Sequence, residues 1–207
     1  MNTDYLGDGK DLAKGFIFNH LRNDGLIEGP FVVPFFRERI SAKQLNTYAD
    51  VLGVSPELVF RERPWDGFIR RRKDYLSEVA SRVDCDTIFF DPDTGMRSVV
   101  NGTKCKGKYK FVSFEEIYAV AGGSDGRIVV TYDESYDNRD KTDLIGAVRR
   151  KTRAIKLSQR GEHYYAFAYV GMALNLVFVT NTTGRNRLEN IKASLKQLLQ
   201  GKPRRIV

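Results

Sequence analysis

Two short stretches concentrate the residue types that do polar chemistry. The first, "YLGDGKDLAKG" at residues 5–15, sets Asp8, Lys10, Asp11 and Lys14 among Gly7, Gly9 and Gly15. Asp8 suits a helix N-cap, and acids such as Asp11 favour that end of the helix dipole. The dipole disfavours Lys10 and Lys14 in the same turns, whereas glycines and lysines ahead of a helix can cradle an anion. A helix start and a site are therefore both open readings. The second stretch, "FFDPDTGM" at residues 89–96, runs from apolar residues straight into Asp91 and Asp93. Two carboxylates there could serve a site, yet Asp-Pro-Asp-Thr-Gly is equally good turn material. In an open parallel sheet they would fall at the carboxyl end of a strand, where ligands bind, with Gly95 allowing the sharp departure. "YDESYDNRDK", residues 132–141, would bring Tyr132, Asp133 and Glu134 into the same crevice, with Arg139 in reach of an anion.

A third stretch is basic. "RERPWDGFIRRRKDY", residues 61–75, gathers Arg61, Arg63, Arg70, Arg71, Arg72 and Lys73 around Trp65 and Phe68. Such a mixture suits phosphate contact with base stacking, or a solvated helix face with Trp65 packed on the core. Arg149, Arg150, Lys151 and Arg153 form a second basic cluster. Cys85, Cys105, His20 and His163 lack the spacing of a zinc site, no Walker motif is present, and no resident metal is expected.

These residues need a scaffold. Helical spacing appears over 11–22, with Leu12, Phe16, Ile17 and Leu21 as its apolar stripe, then over 42–52 behind Ser41, and over 66–83. Ser113 and Glu116 form a capping box for a helix that stops at Gly122-Gly123. Further helices are expected over 142–155 and 185–200. Strands are expected at 30–36, where Pro34 argues for an edge or a break, and at 87–90, 127–132, 164–170 and 175–181. The last two, joined through Gly171-Met172, read as an antiparallel hairpin at one edge. Alternation of helices and strands predicts an α/β fold with a mostly parallel sheet and helices on both faces. Residues 1–200 read as one domain and 201–207 as a basic, mobile tail.

The chain has 207 residues, 42% hydrophobic and 12% aromatic, enough for a substantial core. A formal charge of +8 favours polyanionic partners, chiefly nucleic acid. No stretch approaches the roughly 18 unbroken apolar residues of a membrane span. A cytoplasmic protein with no membrane partner and free thiols is expected; the oligomeric state is not readable.

The opening "YLGDGKDLAKGFIFNHL", the "DPDTG" at 91–95 and "KYKFVSFEE" at 108–116 together resemble a group of bacterial and phage proteins with Y-x-G-D-x-x-D-x-x-K and D-P-D-x-G motifs. More distantly, the layout is similar to S-adenosylmethionine-dependent methyltransferases with a Rossmann-like fold, closest to the adenine-N6 type acting on ribosomal RNA. Asp91-Pro92 match the first half of their D-P-P-Y motif, and Asp93-Thr94 replace its Pro-Tyr. The resemblance implies a methyltransferase-like domain acting on nucleic acid. Asp91 would accept a hydrogen bond from a target amine, with Asp93, Asp8 and Lys14 as the further catalytic candidates. Gly7, Asp11, Gly95 and Tyr132 would hold S-adenosylmethionine, and Trp65, Arg70, Arg71, Arg72, Lys73, Arg149 and Arg150 would contact nucleic acid. Two other readings stay open. Asp8, Asp11, Asp91 and Asp93 could hold Mg²⁺ for phosphodiester or nucleotide chemistry. Alternatively, the chain is a non-catalytic binding or inhibitory module, since methyltransferases follow their first strand with a glycine-rich turn that "FVVPFFRER" lacks.

Overall fold

Local signals place the first elements. A computed structural model of the chain describes residues 6–35, 40–60, 79, 84–97, 111–134, 143–157, 163–171, 174–199 and 205–207. Helix α1 (Gly9–Asn23) starts where the Asp8 carboxylate accepts the N–H groups of Lys10 and Asp11. Strand β1 (Phe31–Pro34) ends at the proline. Helix α2 (Ala42–Leu52) opens on a Ser41–Gln44 capping box and closes at Gly53. Strand β2 (Thr87–Asp91) follows, then two short strands, β3 (Gly95–Arg97) and β4 (Phe111–Ser113). Helix α3 (Phe114–Ala121) has the expected Ser113–Glu116 capping box. The remainder is β5 (Ile128–Tyr132), α4 (Leu144–Leu157), β6 (Tyr165–Val170), β7 (Asn175–Thr180), α5 (Arg185–Leu198) and β8 (Arg205–Ile206). Of the helix expected over 66–83, only Val79 is described, and it is helical and buried.

The main sheet has the order β1-β2-β5-β7-β6-β8, and β3 pairs with β4 in a separate parallel ribbon. β1, β2 and β5 are parallel neighbours, and β6 runs the same way because both β5 and β6 are antiparallel to β7. The fold is thus α/β with a mixed, mostly parallel sheet. All residues of β2, β5 and β7 are buried, which is why they read as continuous apolar runs rather than alternating ones. Strand alternation divides the core into two clusters. Phe89 and Val130 join Ile17, Phe18 and Leu21 of α1, Tyr48 and Leu52 of α2, and Leu188 and Leu195 of α5. Ile88, Phe90 and Val129 join Ile117 of α3, Val148 and Ile155 of α4, and Met96 of β3. Each fully buried Val, Ile or Phe contributes about 1.5–3 kcal/mol relative to exposure.

Three expectations are corrected. The β6–β7 hairpin is not the sheet edge: β7 lies inside, between β5 and β6, and β8 pairs beyond β6. Residues 205–207, expected in a mobile tail, pair in the sheet, where Ala168 and Val207 exchange both backbone hydrogen bonds at 2.7 and 2.9 Å; residues 201–204 lie outside the described residues. Leu12 and Phe16 face outward, 58% and 51% exposed. The buried stripe of α1 is Asp11, Lys14, Gly15, Ile17, Phe18 and Leu21, turned inward by ionic contacts that apolar spacing does not register.

Gly15 lets α1 approach α2. A Cβ there would stand 2.1 Å from the Val51 carbonyl oxygen. Helix propensity alone favours alanine at such a position by about 1 kcal/mol. The contact reverses the sign, and Gly15→Ala is expected to destabilise the chain by about 1–3 kcal/mol. A lower midpoint in chemical denaturation meets this expectation; an unchanged or raised midpoint contradicts it.

Candidate functional site

Asp91 is the last residue of β2 and projects to the α1–α2 face of the sheet, two residues beyond Phe89. Lys14 reaches it from the second turn of α1. Its Nζ lies 2.8 Å from Asp11 Oδ1 and 2.9 Å from each oxygen of Asp91, so all three N–H donors are engaged. The Tyr48 hydroxyl, from α2, donates to Asp91 Oδ2. The Gly7 N–H donates to Asp11 Oδ2 at 2.9 Å. The Tyr132 ring, at the end of β5, stands 4.4 Å from Lys14 Nζ as a cation–π partner. Lys14, Asp11 and Asp91 are at most 3% exposed.

Two carboxylates face one ammonium, so the cluster carries an excess negative charge in a dry place. Burial raises the pKa of Asp11; Lys14 opposes the rise and the Asp91 charge adds to it. Burial disfavours the charge on Lys14, but Asp91 and Asp11 outweigh it, and the ammonium is held more tightly than usual. Burial, then the Asp91 and Asp11 charges, push the Tyr48 hydroxyl far up, which keeps it a donor. Burial and the Glu134 carboxylate likewise keep Tyr132 protonated. At the rim, Lys10 Nζ pairs with Glu134 at 2.7 Å, both side chains partly exposed.

The residues singled out by sequence divide accordingly. Asp11, Lys14, Asp91 and Tyr132 come together. Asp8 caps α1, and Gly7 holds Asp11 through its backbone. Asp93 lies half-buried in the turn from β2 to β3. Asp133 does not share the Asp91 crevice: as the strand neighbour of Tyr132 it faces the other side, where Lys151 Nζ binds it at 2.7 Å and the Met96 N–H at 2.9 Å. Gly95, at φ 136, packs there too, where a Cβ would meet Asp133 Oδ1 at 2.0 Å. Lys151 is thus drawn from the basic cluster, in which Arg149 and Arg150 are exposed. Trp65, Arg70, Arg71, Arg72, Lys73, Arg139 and Cys105 lie outside the described residues. Tyr48 was not singled out by sequence; its place in an apolar helical stripe hid its hydroxyl.

Ser194 Oγ lies 2.8 Å from His20 Nε2 and donates to Asp24 at 2.6 Å. A catalytic triad needs the acid on the far ring nitrogen, so this trio is a clip between α1 and α5. Among the described residues no group of three or more His, Cys, Asp or Glu side chains could hold a metal ion. No described helix is long and apolar enough to cross a membrane.

Removing one member of a buried ion cluster leaves an uncompensated charge. Lys14→Met is expected to cost about 3–5 kcal/mol of unfolding free energy, measured by denaturant titration. Asp11 generates a pH signature. Its folded pKa exceeds the ordinary 3.8, so between those values the native state holds the extra proton. Its contribution to stability therefore falls as pH rises through that window, and is level above it. Asp11→Asn lacks this decline, so its stability relative to wild type should improve as pH rises from 3.8 toward neutrality. A difference that stays flat or moves the other way contradicts the assignment.

No family model matches the chain, and no curated protein or solved structure matches it either.

Proposed function

We propose that the chain is a nucleic-acid-binding domain of methyltransferase-like, Rossmann-like layout that captures an amino group at Asp91. The observation that carries this reading is the Asp91 carboxylate itself. It stands at the carboxyl end of a parallel strand, is held in place by Lys14 and Tyr48, and already receives nitrogen donors. A carboxylate offers about four acceptor positions. Three side-chain hydrogens, two from Lys14 and one from Tyr48, occupy three of them, so one acceptor position is left for a further N–H such as that of an exocyclic base amine. Lys14 keeps the carboxylate ionised and oriented, Tyr48 fixes Oδ2, and Tyr132 supplies an aromatic wall. The partly exposed Lys10–Glu134 pair stands at the approach. The charge of +8 and the exposed Arg149 and Arg150 on α4 favour phosphate contact.

The residues after β1 do not fit S-adenosylmethionine. No glycine occurs from Phe31 to Arg39, and the residue that follows the strand, Phe35, is fully buried with its N–H bonded to the Asp91 carbonyl at 3.1 Å. No transfer step is therefore derived, and the site is read as one of recognition. The ammonium of Lys14 fills the space between Asp11 and Asp91 that a divalent ion would take, which supports an amine site over a metal site.

Fluorescence anisotropy tests the reading with two single-stranded oligonucleotides, one carrying adenosine and one carrying purine riboside, which lacks only the amino group. Wild type is expected to prefer adenosine by about tenfold, the worth of one charge-assisted hydrogen bond. Asp91→Asn should lose that preference while retaining salt-dependent binding. Equal affinity in wild type, or no binding at all, overturns the proposal. Calorimetric binding of S-adenosylmethionine would overturn the exclusion of that cofactor and restore a transferase reading.

A further inference from the structure

We infer that the carboxyl end of β5 carries a second binding site, on the face away from Asp91, built around Thr131, Asp133 and Asn175. Its ligand is a neutral small molecule presenting an amide-like edge, with an N–H donor beside an acceptor.

The two-residue strand period sets the geometry. Thr131 and Asp133 share the face of Val129, and Asn175 shares the face of Val177, all on the side of α3 and α4. Thr131 lies opposite Val177, and the Asp133 N–H donates to the Asn175 carbonyl at 3.0 Å, so Asn175 stands beside Asp133 and diagonally from Thr131. Such diagonal neighbours have Cβ atoms roughly 7 Å apart, a gap one bridging group can span. β3 walls the site through Gly95 and the Met96 N–H on Asp133, and α4 walls it through Lys151.

Two polar atoms in this place have no hydrogen-bond partner: Thr131 Oγ1 and Asn175 Oδ1. Both residues are buried, at 0% and 6% exposure. Each such orphan costs about 1–3 kcal/mol, and folded proteins satisfy nearly all of them. Their chemistry specifies what would complete them. Asn175 Oδ1 accepts, and so needs an N–H or O–H. The Thr131 hydroxyl can donate, and so suits an adjacent acceptor. Lys151 Nζ pairs with Asp133 at 2.7 Å, and a buried carboxylate that already has a cation favours a neutral ligand over an ion. A carboxamide and a nucleobase edge share this pattern of adjacent donor and acceptor. The inference does not rest on amine capture at Asp91, since the two sites use opposite faces of the sheet.

Isothermal titration calorimetry of the full chain with nicotinamide, adenosine and cytidine tests the site and separates the two sources. Binding of nicotinamide alone assigns a free amide; binding of a nucleoside alone assigns a base. Thr131→Val and Asn175→Leu are each expected to weaken the bound probe about tenfold, as loss of one hydrogen bond implies. Thr131→Val replaces an orphaned hydroxyl by a methyl group, so without ligand its thermal midpoint should be unchanged or raised, which confirms that the variant folds. Binding of none of the three probes to wild type overturns the inference and assigns the two orphans to buried water. Binding that survives both variants overturns it as well.

Discussion

One ammonium joins three parts of the molecule. Lys14 belongs to α1, Asp91 ends β2, and Tyr48, on α2, reaches the same carboxylate. Breaking this cluster would do more than remove a contact. Two buried carboxylates would be left without their counter-ion, and α1 and α2 would lose their shared polar anchor on the sheet. Such a cluster is poor evidence of added stability, since taking three charges out of water opposes most of the Coulombic gain. It does fix position. An apolar stripe would let α1 roll by a fraction of a turn, whereas the fork of Lys14 between Asp11 and Asp91 allows one rotation. That rotation also accounts for the exposure of Leu12 and Phe16, which apolar packing alone would bury.

The sheet extends this logic to its other side. Tyr132 and Asp133 are consecutive at the end of β5, so they must face opposite ways. Tyr132 takes part in the Lys14 cluster, and Asp133 binds Lys151 and holds β3 through the Met96 N–H. One strand end therefore supports polar groups on both faces. Gly95 belongs to this second arrangement because any side chain there would collide with Asp133.

What could be read from sequence was what is local. The capping box at Ser113, the helix caps at Ser41 and Asp8, and the strands β2, β5 and β7 depend on residues a few positions apart or on composition, and they appear where expected. Asp91, Lys14 and Asp11 were legible as chemistry, and the structure joins them across a separation of 77 residues. The errors have physical causes. Apolar spacing counts lysine and aspartate as outward, and so gives α1 a different inward face from the one observed. Proximity to a strand end suggests that Asp133 joins Asp91, whereas the two-residue period puts it on the other face. A tyrosine in a helical stripe looks like packing, so the sequence does not mark the Tyr48 hydroxyl. β3, β4 and β8 contain two or three residues each, too few to show any period, and they exist through tertiary pairing.

The exit of β1 bears on the proposal that Asp91 serves recognition. At a parallel strand's carboxyl end, a ligand gains most when backbone N–H groups are free and the chain turns away sharply. β1 offers neither. Its last residue is Pro34, which has no N–H, and the N–H of Phe35 is spent on the Asp91 carbonyl. That bond also ties β1 to the strand bearing Asp91, continuing the ladder one residue past Pro34. The pairing that steadies Asp91 as an acceptor thus removes the donor that a phosphate or a carboxylate would need beside it. The same backbone cannot serve both ends, and here it serves the aspartate.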